Sequence, residues 1–306
     1  VKQTPAAQVR RRRLATSSSL AVILIIVVVV LTRLATDSSG NDSHPPATTT
    51  SSSTATATVS PTPTDTTIPV TRLRQQIAAY LAHRQGAASA AIYDSVSHHL
   101  TLVHPALRGR TASIVKVDIL ETLLHQTGGH LTEEQRDTAT SMIENSNNDS
   151  ATDLWNEDGG ASGVASYNSD LGLTQTTPNV DWGLTTTSAA DQVTLVRALL
   201  QPSSLLTNAA RAFQRSLMRH VEADQQWGIS GGVPKSAVFG NKNGWLPVSE
   251  DHDLWAVNSV GWVHGDGKRY VIAVITQHDA TEDYGIDTIS HVAALAWDDA
   301  SVAPAS

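Results

Sequence analysis

Three short stretches of this 306-residue chain place nucleophilic and basic side chains at spacings that could do chemistry. The first is Ser113-Ile114-Val115-Lys116. Residues three apart share a face of a helix. A serine in the first turn sits where backbone N–H groups lack intrahelical partners. A lysine one turn on can take the serine proton if burial or nearby positive charge lowers its pKa. Of the five lysines, Lys116 alone has a serine three residues before it. Standing alone, the pair also reads as a capping serine and a surface lysine. The second stretch, Ser146-Asn147-Asn148, follows a helical run from Glu134 to Glu144 and by itself is an ordinary turn. The third is Lys242-Asn243-Gly244-Trp245, after Ala237-Val-Phe-Gly240. Its glycine lets backbone or ligand come close, and strand placement would leave edge groups free for an extended, peptide-like ligand. It too reads as a turn when taken alone.

Other chemistries find less support. With no cysteine there is no disulfide, thiolate zinc site, cysteine nucleophile or cysteine-linked lipid anchor. Twelve histidines invite a metal, but His-Glu-x-x-His is absent and His98-His99 sits at a turn. We expect neither metal nor cofactor. No Gly-x-Ser-x-Gly elbow is present, although a dispersed Ser-His-Asp triad would leave no local signature.

The elements that must position these residues follow from periodicity. Leu73, Ile77, Tyr80 and Leu81 have helical spacing. Ala87–Tyr93 and His99–Val103 read as strands joined at Asp94–His98. A helix opens at Ser113, with Val117, Leu120 and Leu124 on one face, and stops at Gly128-Gly129. Thr132 caps another. Ser188–Leu200 and Asn208–Val221 are helical, Trp255–Val263 and Arg269–Thr276 are strands, and Ile286–Trp297 is a last helix. This pattern predicts an α+β fold. Its N- and C-terminal strands share one antiparallel sheet, with a helical block inserted between them.

Charge and hydropathy divide the chain. Residues 1–36 hold six basic residues and no acid. The rest has 21 − 6 = 15 bases against 29 acids, a net of −14, which offers no footprint for nucleic acid. The uncharged run Leu14–Thr32 would reach roughly 28 Å as a helix, near the ~30 Å of a bilayer core. Arg10–Arg13 precede it, which predicts a cytoplasmic N-terminus and an exported remainder. Its strongly apolar half is also short enough for a cleaved signal peptide. The expected organisation is a basic tail (1–13), an anchor or signal (14–33), a disordered Ser/Thr/Pro linker (34–69), a folded domain (70–300) and a tail (301–306). The localisation expected is a single-pass membrane protein with an extracytoplasmic domain, or a secreted one, and a monomer.

Taken together and in order, the three stretches resemble the Ser-x-x-Lys, Ser-Asp-Asn and Lys-Thr-Gly motifs of class A β-lactamases and penicillin-binding proteins. Leu184-Thr-Thr-Thr187 resembles the Thr-rich turn those enzymes carry before the third motif. The resemblance runs from about Leu73 to Trp297, and the Lys-Asn-Gly-Trp form is similar to a group of exported actinobacterial serine hydrolase-like proteins. It implies a class A-type fold and an acyl-enzyme on Ser113 formed with a β-lactam or a peptidoglycan stem peptide. It further implies that Lys116 accepts or relays the proton, that Ser146 and Lys242 carry it to the leaving nitrogen, and that Lys242 attracts a substrate carboxylate. Asn148 would hold the substrate amide, and Asn243, Gly244 and Trp245 would line the binding strand. The N–H groups of Ser113 and Trp245 would form the oxyanion hole.

Three departures stand out. Asn147 replaces aspartate. Asn243 replaces a hydroxyl residue. The stretch Leu171–Val180, where those β-lactamases carry the Glu-x-Asn that drives deacylation, holds no acid. Asp170 and Asp181 flank it as solvated loop acids, Asp170 being the alternative candidate for the base. The resemblance therefore implies a poor β-lactamase, or else a degenerate binding domain.

Overall fold

The computed structural model describes residues 68–303. The elements run α1 (Ile68–Leu81), β1 (Ala87–Asp94), β2 (Leu100–Val103), β3 (Gly109–Arg110), α2 (Val115–Gln126), α3 (Glu133–Glu144), α4 (Asn148–Glu157), α5 (Gly160–Leu171), β4 (Thr186–Thr187), α6 (Ala189–Leu200), α7 (Asn208–Arg219), β5 (Val238–Val248), β6 (Leu254–Gly265), β7 (Lys268–Asp279) and α8 (Glu282–Asp299). Five strands make one antiparallel sheet in the order β2-β1-β7-β6-β5, as the α+β reading requires. The first strands of the domain thus pair with the last, and everything between β2 and β5 is the inserted block.

Strand β7 lies at the centre and is buried on both faces. Tyr270, Ile272 and Val274 face a core built with α1 and α8, through Ile77, Ile289 and Val292. Val271, Ala273 and Ile275 face the opposite core, shared with the helical block. The period-2 alternation of a strand sends consecutive residues to these two cores. At the heart of the block is α2, whose residues Val115 to Leu124 are all buried. It is an interior helix although Lys116, Asp118, Glu121 and Thr122 are among those buried residues.

Helices α4 and α5 go beyond the expected elements. The run Gly159-Gly160-Ala-Ser-Gly163 has poor helix propensity. It is helical because Val164, Tyr167 and Asn168 bury against the block, and packing overrides propensity. Thr132 caps α3 through a reciprocal capping box with Gln135.

The expected anchor at 14–33 and most of the linker at 34–69 lie outside the described residues, and α1 already begins at Ile68. Among the described residues no helix is long and apolar enough to cross a membrane. The expected tail from Ser301 is tied down at its start. Ser301 N donates to Asp94 Oδ2 at 2.8 Å and Ala303 N to Gly267 O at 2.9 Å.

Candidate active site

Ser113 does not open the α-helix itself. It sits in a 3-10 turn, Ala112–Ile114, that feeds α2. The residue before it, Ala112, is held at φ +46° and is buried. Such a conformation costs an alanine about 1–3 kcal/mol and persists only where the surroundings impose it. Here they do. Thr111 N donates to Thr185 O at 2.8 Å, and β3 pairs with β4, so the Thr-rich stretch holds the approach to Ser113. From the sheet side Asn258 Nδ2 donates to Arg110 O (2.8 Å) and Thr111 O (3.1 Å). Asn258 is fully buried on β6. Sequence reasoning passed over it, although a polar residue inside the apolar run Trp255–Val260 was a usable signal.

The three motifs converge. Lys116, 0% exposed, points its ammonium at the second motif: Nζ donates to Ser146 O (2.7 Å), Ser146 Oγ (3.2 Å) and Asn148 Oδ1 (2.8 Å). Lys242, 1% exposed, reaches the same hydroxyl from β5, with Nζ to Ser146 Oγ at 2.9 Å and to Asn243 O at 3.1 Å. Gly244 brings the third motif onto the first. A β-carbon built there would fall 2.6 Å from the backbone nitrogens of Ser113 and Ile114 and 2.7 Å from Thr111 O, so only glycine fits.

Ser146 owes its position to the end of α3. It adopts φ +53°, the left-handed conformation common just past helix ends, and this aims its hydroxyl at both lysines. Asn147 then becomes the N-cap of α4, its Oδ1 accepting from Ser150 N at 2.8 Å. Asparagine caps a helix as well as aspartate does. This departure from the Ser-Asp-Asn pattern therefore keeps its structural job.

Two buried ammonium groups sharing one hydroxyl, with no carboxylate paired to either, cannot both stay charged at low cost. Burial lowers Lys116 to about 7. Burial and then the Lys116 charge push Lys242 well below the ordinary lysine value. No hydrogen bond joins Lys116 to Ser113 Oγ: the three N–H groups of the ammonium go to Ser146 and Asn148. A charged lysine only donates, so a Ser113 proton can be accepted only once Lys116 is neutral.

Two placements differ from expectation. The Asn243 side chain, expected at the ligand, is buried, and its Nδ2 donates to Gln225 O (2.8 Å) and Trp227 O (3.1 Å). Strand alternation puts it on the same face as Asn241, which also bonds Gln225 O at 3.0 Å, and opposite Lys242. Asp170 is on the last turn of α5, not on a loop. Its carboxylate lies 3.9 Å from His125 Nε2 and borders a surface cavity shared with α6.

Just past the stretch that carries no acid, and after Asp181, the group that reaches Lys116 is an indole. Trp182, in the 3-10 turn Trp182–Leu184, has its ring centre 5.0 Å from Lys116 Nζ and donates Nε1–H to Thr152 Oγ1 at 3.2 Å. A lone tryptophan in a polar loop was the missed signal. Trp245 is half-buried and packs edge-on against Trp227, centroids 5.6 Å apart. Among the described residues no group of three or more His, Asp or Glu side chains could hold a metal ion.

Residues 129–300, more than half of the chain, match the family model described as the beta-lactamase enzyme family. The match takes in the second and third motifs and begins after Ser113 and Lys116. Solved structures of similar fold extend over the first motif's region. The TLA-1 extended-spectrum beta-lactamase superposes with a TM-score of 0.67 at 16% identity, over 76% of this chain and 99% of that one. A beta-lactamase from Chitinophaga pinensis DSM 2588 gives 0.66 at 19%, over 75% and 100%. PBP-A gives 0.65 at 21%, over 74% and 95%. No curated protein matches the chain.

Proposed function

The chain belongs to the beta-lactamase enzyme family, and from that premise we propose that it is an exported serine hydrolase that forms an acyl-enzyme at Ser113 with β-lactam or peptidoglycan-peptide carbonyls. The observation that carries this reading is the meeting of Lys116 and Lys242 on Ser146 Oγ, with Gly244 against the Ser113 nitrogen.

In the proposed reaction, neutral Lys116 takes the Ser113 hydroxyl proton as Oγ attacks the carbonyl carbon. The N–H groups of Ser113 and Trp245 stabilise the oxyanion, at about 2.7–4 kcal/mol per donor. Collapse breaks the C–N bond, and the departing nitrogen receives its proton through Ser146 Oγ, fed by the lysines. A substrate carboxylate near Lys242 would favour the charged amine and set the orientation of the ligand. Asn148, already bonded to Lys116, is placed to meet a substrate amide.

Hydrolysis of the acyl-enzyme is the slow step in this proposal. Leu171–Val180 brings no carboxylate to activate water, and the indole of Trp182 faces Lys116. The enzyme would be a poor β-lactamase, and a slow hydrolase or peptidase. We place it as a monomer on the outer side of a membrane, tethered through residues 14–33 or released after cleavage there, on the charge asymmetry around that run.

A second reading, a noncatalytic domain that binds cell-wall peptides, draws on the buried Asn243 amide and the absence of a Lys116–Ser113 bond. Mass spectrometry after incubation with a panel of β-lactams separates the two. A stable adduct, absent in Ser113→Ala, is expected. No adduct with the drug intact would favour the binding domain. Drug consumed without an adduct would mean that another group activates water.

A further inference from the structure

On the far end of the sheet from Gly244, a cavity of about 590 Å³ opens between α7 and the paired ends of β6 and β7. Arg215, Ser216 and Arg219 of α7, His264 and Trp262 of β6 and Arg269 of β7 line it, and no aspartate or glutamate does. None of its lining residues belongs to the three motifs.

The charge there is unbalanced. Arg211, Arg215 and Arg219 are spaced i, i+4, i+8 along one ridge of α7, and like charges one turn apart repel. Arg269 stands directly opposite His264 across the β6–β7 register. The two terminal nitrogens of Arg211 donate to Gln201 O and Asn208 Oδ1 while its buried Nε has no partner, and one Arg215 nitrogen donates to Leu199 O. Among the described residues, the side chains of Arg219 and Arg269 and the other side-chain N–H groups of Arg215 have no hydrogen-bond or ion-pair partner. Burial and the Arg211 charge lower Arg215 from its ordinary value, the mark of a cation short of counter-charge. The part of the chain that follows residue 36 has a net charge of −14, so acids abound, yet none pairs here.

We propose that this cavity binds a small polyanion, a molecule carrying two or more phosphate or carboxylate groups, held by Arg215, Arg219 and Arg269. Guanidinium groups present planar donor forks that match both groups in a bidentate way. The volume falls within the roughly 300–1,000 Å³ of small-molecule sites, large for a single halide. Buried Trp262 supplies a rigid wall.

The test is calorimetric titration of the full chain, in uncharged detergent, with inorganic tripolyphosphate and separately with citrate. Binding of at least one probe is expected, weakened tenfold or more in the Arg219→Gln/Arg269→Gln variant. Both arginines are exposed, so the fold should survive, and an unchanged melting temperature would verify it. Arg72→Gln/Arg74→Gln makes the same charge change on α1 and should leave affinity within twofold. The probe that binds identifies phosphate or carboxylate as the preferred chemistry. Absence of binding at millimolar concentration, equal losses in the two double variants, or affinity unmoved by Arg219→Gln/Arg269→Gln would each overturn the proposal. The last result would place the binding elsewhere on the chain.

Discussion

At the scale of single residues, the site turns on the protonation of one amine. Lys116 is lowered to about 7 by burial, so its neutral, proton-accepting fraction grows as pH rises through that value. Acylation of Ser113 by a β-lactam should therefore accelerate about tenfold per unit below pH 7 and level off above it. Lys116→Arg, which cannot lose its proton, should abolish the reaction. A time course from pH 5 to 9 measures this, and a flat profile would remove Lys116 from the role of acceptor. Gly244 gives a second prediction. Its missing β-carbon would strike the Ser113 and Ile114 nitrogens, which are backbone and cannot rotate away. Gly244→Ala should slow acylation by about 100-fold, since displacements near 1 Å cost that much. Melting should shift far less than activity. Equal loss of both would point to general misfolding.

At the scale of elements, helix ends rather than helix bodies aim the chemistry. Ser113 rides a tight turn ahead of α2, Ser146 sits just past α3, and Asn147 starts α4. The Asn147 cap should contribute about 1 kcal/mol, lost in Asn147→Ala and kept within a few tenths in Asn147→Asp. Chemical denaturation would show it. If Asn147→Asp instead changes acylation without changing stability, the residue acts on the reaction and not only on the helix. Asn147 read as part of a turn, but the Thr132 cap was readable from sequence, because it and its glutamine partner are three residues apart. The partners of Asn258 and Trp182 were not. They lie 147–148 and 30 residues away in the chain, and no local pattern encodes such pairings.

At the scale of the whole molecule, the helical block buries carboxyls with few partners. Asp118 is raised to about 7 and Asp158 to about 9, each first by burial, and Glu121 lies well above its ordinary value for the same reason. Both Asp158 oxygens are buried without a hydrogen bond. These groups stay protonated in the fold where the unfolded chain ionises them, near pH 4. The unfolded state then binds fewer protons, and stability falls as pH rises from about 4 to 7. Lys116 acts in the opposite sense only above about pH 7, where it is neutral in the fold and still charged when unfolded. Thermal melts across pH 4–7 should show the decline. Asp158→Asn should flatten part of it and stabilise at pH 7 by on the order of 1–3 kcal/mol. A rise of stability through that window would contradict the burial of these acids.

The sequence by itself determined most of the strands and helices, the α+β class and the three motifs, because periodicity, caps and short spacings are local properties. It also determined that Leu171–Val180 supplies no acid. Only the tertiary structure decided that Asn243 turns away from the lysine face, that Lys116 spends its donors on Ser146 and Asn148, and that a tryptophan occupies the approach to it. Those outcomes depend on which side chains meet across distant strands and loops. Burial and competition for a few hydrogen-bond partners settle that, and both arise only when the whole chain is packed.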